Sequence, residues 1–172
     1  LHFRLLLSPN SSDLPTLDEK GLTYWPGGLA AWHRPVFTVR RIADTHDWVD
    51  VDIALHEGGR TTHWCRNVLP GTIVGLNGPS GSKMPIASRL GLFGDETAMP
   101  AILRILESTP STTKAAATIA IRDPADAQEI YSSADVSLSW GEMRHEITLL
   151  KDLKNLELSQ EDLFAFFAAE RA

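Results

Sequence analysis

Up to about Pro79 the apolar residues recur with a period of two. Phe3, Leu5 and Leu7 alternate with His2, Arg4 and Leu6, and Val49, Val51, Ile53 and Leu55 alternate strictly with Asp50, Asp52, Ala54 and His56. This is the pattern of strands with one buried face, and the second run predicts the best-defined strand of the chain. Another β-rich run, Val36 to Ile42, leads into it through the polar turn Asp44-Thr45-His46-Asp47, and Pro70-Gly71 opens a further strand over Thr72 to Leu76. Together these runs predict an antiparallel meander or barrel. The stretch from Asn10 to Trp32 is rich in Pro, Gly, Ser and Asp and predicts a long loop.

After Gly78-Pro79-Ser80-Gly81-Ser82 the period changes. A short apolar run, Leu90 to Phe93, passes through Gly94 into a helix whose Met99, Ile102, Leu103 and Leu106 share one face, with Pro100 acceptable in the first turn. Ala117 to Ile121 and Val136 to Trp140 predict two more strands, followed by helices starting near Asp123-Pro124 and Glu142. Strands alternating with helices imply a parallel sheet covered by helices. The boundary falls between Gly78 and Arg89, giving domains over 1–82 and 88–172. At the end of the chain Ser159 with Asp162 resembles a helix cap, and the alanines of Leu163 to Ala172 favour a terminal helix.

Composition narrows the function classes. With 172 residues, 43% of them hydrophobic, the chain can bury a real core. A net charge of -6 gives no support for a nucleic-acid partner, whose phosphates call for a basic face. The one cysteine, Cys65, cannot form an internal disulfide, and no apolar run approaches the roughly 20 residues of a membrane span. A cytoplasmic protein without membrane insertion is expected. His56, His63 and His145 share no metal-ligand spacing, so no structural metal is expected. Neither a serine nucleophile elbow nor a Walker loop is present, which argues against the familiar hydrolases. The opening Leu1-His2-Phe3-Arg4 carries no methionine, so preceding residues are expected.

Three segments could carry chemistry. Gly94-Asp95-Glu96-Thr97-Ala98-Met99-Pro100 lies between a strand's carboxyl end and a helix, where open α/β sheets bind ligands. Its two carboxylates suit a neutral or cationic group better than a phosphate, although a plain capping role explains the same residues. Arg34-Pro35-Val36-Phe37-Thr38-Val39-Arg40-Arg41 offers a flavin its three needs at short spacing: a cation, a flat apolar group and a hydroxyl. An edge strand with a solvated arginine face accounts for it equally. Gly58-Gly59-Arg60-Thr61-Thr62-His63-Trp64 could form an anion cradle at a helix start, or an ordinary turn and cap.

Taken in order, these segments resemble the siderophore-interacting protein family, a branch of the ferredoxin-reductase-like flavoproteins. The resemblance runs through His2 to Leu7, Arg34 to Arg41, His56 to Trp64, Pro70 to Pro79 and Gly94-Asp95-Glu96-Thr97-Ala98-Met99-Pro100-Ala101-Ile102, with a later Gly141-Glu142. It implies an antiparallel FAD-binding β-barrel, N-terminally incomplete in this chain, followed by a small parallel-sheet nicotinamide-binding domain. It also implies electron transfer from NADH or NADPH through FAD to a ferric siderophore, with release of ferrous iron and no side chain acting as acid or base. The alternatives are a general flavin or ferredoxin-type reductase and a flavin-free siderophore-binding module. Among the implied cofactor contacts, Phe37 runs along the flavin ring, Thr38 and Val39 meet its polar edge, and Arg34 lies near the phosphates, with Arg40 or Arg41 able to substitute. His56, Arg60, Thr61, Thr62 and Trp64 belong to the loop that closes over the phosphates. Gly94, Asp95, Glu96, Thr97 and Ala98 line the nicotinamide cleft. Two departures from the family pattern stand out: Phe37 replaces a tyrosine, and Arg34 sits one place early, with Pro35 at the expected position. The family also tends to end in a strand, against the helix that the local pattern favours.

Overall fold

The computed structural model describes residues 1–9, 13–81, 83–142 and 162–169. The chain divides into two compact units, one made of Leu1–Val39 and Asp52–Ser82, the other of Arg40–Val51 and Lys83–Ala172.

In the first unit, β1 (His2–Leu6) lies at the centre of a three-stranded antiparallel sheet between β4 (Val36–Thr38) and β7 (Gly75–Ser80). Phe3 and Leu5 point into the core as the alternation requires, and Phe3 faces Phe37 across the β1–β4 pair. A small hairpin, β2 (Thr16–Leu17) with β3 (Thr23–Tyr24), forms within the stretch expected to be a long loop. The helix α1 (Arg60–Asn67) is the only helix longer than one turn among this unit's described residues.

Three expectations shift. The run from Val36 to Ile42 is two strands, not one: β4 ends at Thr38, and β5 (Arg41–Ile42) pairs with β6 (Val49–Asp50) as a hairpin around the expected turn. The strict alternation from Val49 to Leu55 is a strand over Val49–Asp50 alone. Both runs cross a point where the chain passes from one unit to the other, Val39 to Arg40 and Val51 to Asp52, so no single ladder partner follows them. Similarly, the strand expected over Thr72 to Leu76 is displaced to β7, which includes Pro79; β7 is an edge strand, where a missing N–H is tolerated.

The second unit carries a four-stranded parallel sheet in the order β10-β9-β8-β11, formed by β8 (Arg89–Asp95), β9 (Lys114–Ile121), β10 (Asp135–Glu142) and β11 (Leu163–Ala168). The helix α2 (Met99–Glu107) follows β8 and packs Ile102, Leu103 and Leu106, each fully buried, against Leu92 and Ile119. Truncating such a residue to alanine costs about 2–5 kcal/mol, so this cluster dominates the unit's stability. The helix expected at Asp123-Pro124 is one 3-10 turn, Pro124–Asp126, with Asp123 accepting the Ala125 N–H. The rest of that connection is tied to the end of α2 through Ser132 and Ser133 hydroxyls donating to the carbonyls of Leu106 and Thr109. The helix expected from Glu142 lies outside the described residues.

The terminal helix is overturned: Leu163–Ala168 is a strand, in register with β8 from Leu163 opposite Arg89 to Ala168 opposite Gly94. Asp162, expected in a cap, instead holds the strand's entry, its carbonyl accepting from the Arg89 N–H and Ser88 hydroxyl and its carboxylate from the Ser88 N–H. Pairing with the open edge of β8 outweighs the local helix propensity of alanine.

Candidate functional site

The first unit gathers two of the three candidate segments. α1 begins at Gly59, whose backbone is extended and supplies no side-chain cap, and its first turn holds no acid. The earliest bond of the helix runs from the His63 N–H to the Gly59 carbonyl, which leaves the amides of Arg60, Thr61 and Thr62 ahead of the hydrogen-bonded ladder. Gly58 approaches with φ of 78°, a conformation that glycine adopts without strain. Around this start lies a cavity of about 500 Å³ lined by Gly58, Gly59, Arg60, Thr62, His63 and Arg66, with no carboxylate among them. The Thr62 hydroxyl is turned inward and accepts from the His56 N–H at 3.1 Å. Trp64 belongs to a second cavity of about 560 Å³, which it lines with Leu6, Leu14 and Ile73.

On β4, Phe37 and Thr38 are half-buried and Val39 is buried, donating its N–H to the Leu1 carbonyl. Arg34 stacks over Trp25 at 5.4 Å from the ring centroid, and Trp25 meets Trp32 edge to face. The segment before β4 touches the first turn of α1 directly: His33 Nε2 lies 2.8 Å from Thr61 Oγ1, and Arg60 donates to the Ala31 carbonyl at 3.4 Å. His33 was not singled out in the sequence, since a lone histidine before an arginine carries no motif. Burial and the adjacent Arg60 charge push its pKa below the usual histidine range.

Arg40 goes elsewhere. Its side chain is 1% exposed and grips both oxygens of Glu107, the last residue of α2, at 2.5 and 2.7 Å, within the second unit. That pairing holds the Glu107 carboxyl below its ordinary range through the Arg40 hydrogen bonds, against an opposing effect of burial. Arg41, half exposed, stands 4.0 Å from the same carboxylate. Both Nη groups of this guanidinium are engaged by Glu107, which competes with any phosphate for it.

The third segment closes the carboxyl end of β8, where the strand order turns back toward β11. Asp95 Oδ1 accepts from the Thr97 N–H, the Thr97 hydroxyl and the Ala98 N–H. The Ala101 N–H goes to the Ala98 carbonyl, and Pro100 has no N–H to give. Glu96 binds Arg122 twice, through the side chain at 3.1 Å and the backbone N–H at 3.3 Å, tying the ends of β8 and β9 together. Both carboxylates are buried, at 6% and 7% exposure, and of these residues Thr97 faces solvent. At Gly94 a Cβ would stand 2.6 Å from the Ala168 carbonyl and from the Ala98 side chain. The glycine lets β8, β11 and the entry to α2 meet without a gap. A further cavity, about 600 Å³, lies at the opposite, amino ends of the strands, between Arg89, Lys114 and Asp135.

FAD is the group to test against these surroundings. Its diphosphate needs backbone donors and cations away from carboxylates, which is the donor set at α1. Its ring needs a flat apolar neighbour and a hydroxyl, which Phe37 and Thr38 offer side by side in the same unit. The residues of the first unit fit. The start of α2 does not suit a diphosphate, because its amides and carboxylates are spent on each other.

Comparison with known proteins agrees. A family model described as the siderophore-interacting FAD-binding domain matches residues 1–83, and one described as siderophore-interacting protein matches residues 87–172. The chain is 30% identical over 157 residues to the ferric vibriobactin reductase ViuB of Vibrio cholerae serotype O1, an alignment that covers 84% of this chain and 58% of that protein. The chain thus spans under two thirds of the length of these curated relatives. Among solved structures it is similar to the siderophore-interacting protein SipS from Aeromonas hydrophila, with a TM-score of 0.79 and 25% identity over 99% of this chain and 66% of that one. A siderophore utilization protein from T. fusca shares the fold, with a TM-score of 0.81 and 24% identity over 96% of this chain and 66% of that one.

Proposed function

The chain belongs to the siderophore-interacting protein family, and from that membership we propose that it is the greater part of a cytoplasmic ferric-siderophore reductase that uses FAD and NADH or NADPH. The observation that carries this is the start of α1, which has no side-chain cap and no acid in its first turn and is edged by Arg60 and Arg66 in a chain of net charge -6, the kind of helix end that suits a phosphate. Bound FAD would supply the acceptance of a hydride and the passage of single electrons to iron. The chain's own work is positioning. The amides of Arg60, Thr61 and Thr62, with the Arg60 and Arg66 side chains, hold the diphosphate. Phe37 covers one side of the ring, and Thr38 with Val39 meets its polar edge. The Gly94 to Ala98 segment receives the nicotinamide end through Thr97, its accessible hydroxyl, with Asp95 and Glu96 holding the turn in place. Ferrous iron is held more weakly than ferric by hard oxygen donors, so reduction frees the metal.

The test is direct. The protein is incubated with FAD and desalted, its visible spectrum is recorded, and NADH or NADPH is added without oxygen, followed by a ferric catecholate with a chromogenic ferrous trap. Retained flavin, bleaching by the nucleotide and a trapped ferrous signal are expected. Failure to take up FAD would overturn the proposal, and uptake with faster reduction of free flavin than of the ferric chelate would convert it to a general flavin reductase.

A further inference from the structure

The segment before β4 and the first turn of α1 are joined by a contact between two side chains, His33 and Thr61, and its chemistry goes beyond packing. His33 sits on a β-bridge to Leu7: the Leu7 N–H donates to the His33 carbonyl at 2.9 Å and the His33 N–H to the Leu7 carbonyl at 3.3 Å. Its backbone is therefore fixed beside β1. From that footing Nε2 reaches the Thr61 hydroxyl at 2.8 Å. Thr62, the next residue, is fixed from the other side by the His56 N–H at 3.1 Å. The first turn of α1 is thus held twice by groups outside the helix, yet neither threonine hydroxyl caps it, and its amides stay available. A turn pinned in place with its donors open is preorganised for an anion, so that binding need not also order the turn. A neutral imidazole suits this task, because it meets the hydroxyl with one ring nitrogen and does not need a counter-charge; burial and Arg60 keep the ring on the neutral side.

We propose that His33 is a positioning residue for the FAD phosphates, acting through Thr61 to hold the first turn of α1 in its binding geometry. This rests on the assignment of α1 to the FAD diphosphate. It distinguishes phosphate-bearing flavins from riboflavin, which has the same ring and no phosphate.

The experiment compares dissociation constants for FAD, FMN and riboflavin by flavin fluorescence in the wild-type chain, His33→Leu, His33→Gln, Thr61→Val and the double variant His33→Leu/Thr61→Val. His33→Leu and Thr61→Val should each weaken FAD and FMN by about five- to tenfold, the worth of one hydrogen-bonded contact, and leave riboflavin unchanged. The double variant should lose no more than either single one, and glutamine at 33 should restore most of the affinity. If His33→Leu unfolds, Thr61→Val, on the helix, carries the same comparison. Equal losses for riboflavin and FAD, or additive losses in the double variant, would overturn the proposal. Wild-type protein that binds FAD no better than riboflavin would instead overturn the assignment of α1 itself.

Discussion

The two helices longer than one turn among the described residues begin in opposite ways. α1 starts from a glycine, has no acid in its first turn and opens on a cavity edged by Arg60 and Arg66. α2 starts behind Asp95, which takes the amides of Thr97 and Ala98, while Glu96 is locked to Arg122 and the surroundings are buried. A helix N-terminus carries about half a positive charge and unsatisfied donors wherever it occurs. What decides whether it binds an anion is whether the chain has already answered those donors. At α1 those donors have no side-chain cap, while at α2 Asp95 takes them and the turn closes on its own sheet.

The sharpest way to break this comparison is to fill the space at each start. Gly94→Ala puts a methyl 2.6 Å from a backbone carbonyl and a neighbouring Cβ, neither of which can swing aside. A loss of about 1–3 kcal/mol is expected, read from urea unfolding. At Gly59 the added methyl would meet the ring of His56, the far end of a movable side chain. Gly59→Ala should cost at most about 1 kcal/mol, mainly through a poorer cap residue. Equal costs would mean that the two starts are equally closed.

Charge removal comes next. Arg60→Ala should raise the dissociation constant for FAD about tenfold, since an exposed cation on a phosphate contributes roughly 1.5 kcal/mol, with riboflavin affinity and melting temperature little changed. Arg122→Ala, which removes the side-chain partner of Glu96 at the other helix, should leave FAD affinity alone. FAD binding that responds to both would erase the distinction between the units.

Asp95→Ala tests the closed end directly. Three hydrogen bonds converge on one carboxylate oxygen, so the expected result is a stability loss of about 1 kcal/mol with FAD content intact. Stopped-flow bleaching by NADH or NADPH separates this from a role in the nicotinamide cleft. A slowed reduction at unchanged melting temperature would show that Asp95 serves the cleft and not the turn.

Sequence pattern served the two units unequally, and the reason is physical. In the second unit Leu90 to Phe93, Met99 to Leu106 and Ala117 to Ile121 each pack on a single core, so local period and tertiary role coincide. In the strict alternation from Val49 to Leu55, by contrast, both end residues are exposed, the chain passes from one unit to the other after Val51, and pairing ends at Asp50. The strand at Leu163 to Ala168 was hidden because its stability comes from the edge of β8, distant in sequence, while its alanines locally favour helix. The candidate residues divide similarly. The helix start in the Gly58 to Trp64 segment was legible, because paired glycines followed by threonines mark a turn and a helix N-terminus. The fate of Arg40 was not, since nothing local announces a carboxylate at Glu107. His33 was invisible for the same reason, its partner lying in another segment.

The smallest effect concerns that histidine and the pH. In the folded chain the His33 pKa is lowered, by burial first and by Arg60 second, whereas in the unfolded chain it returns to roughly 6.5. The charged group that acts on the ring is Arg60 of α1, and Leu7 meets His33 through its backbone. As pH falls through about 6.5 the unfolded chain takes up the proton first, so stability is full above that value and declines until the lower folded-state pKa is passed. The ring is only half-buried, so the decline is modest. Melting temperatures of wild type and His33→Gln across pH 8 to 5 should run parallel above neutrality, with wild type falling faster below pH 6.5. Parallel curves over the whole range would mean that His33 has the same proton affinity folded and unfolded, and that neither burial nor Arg60 holds it neutral beside Thr61.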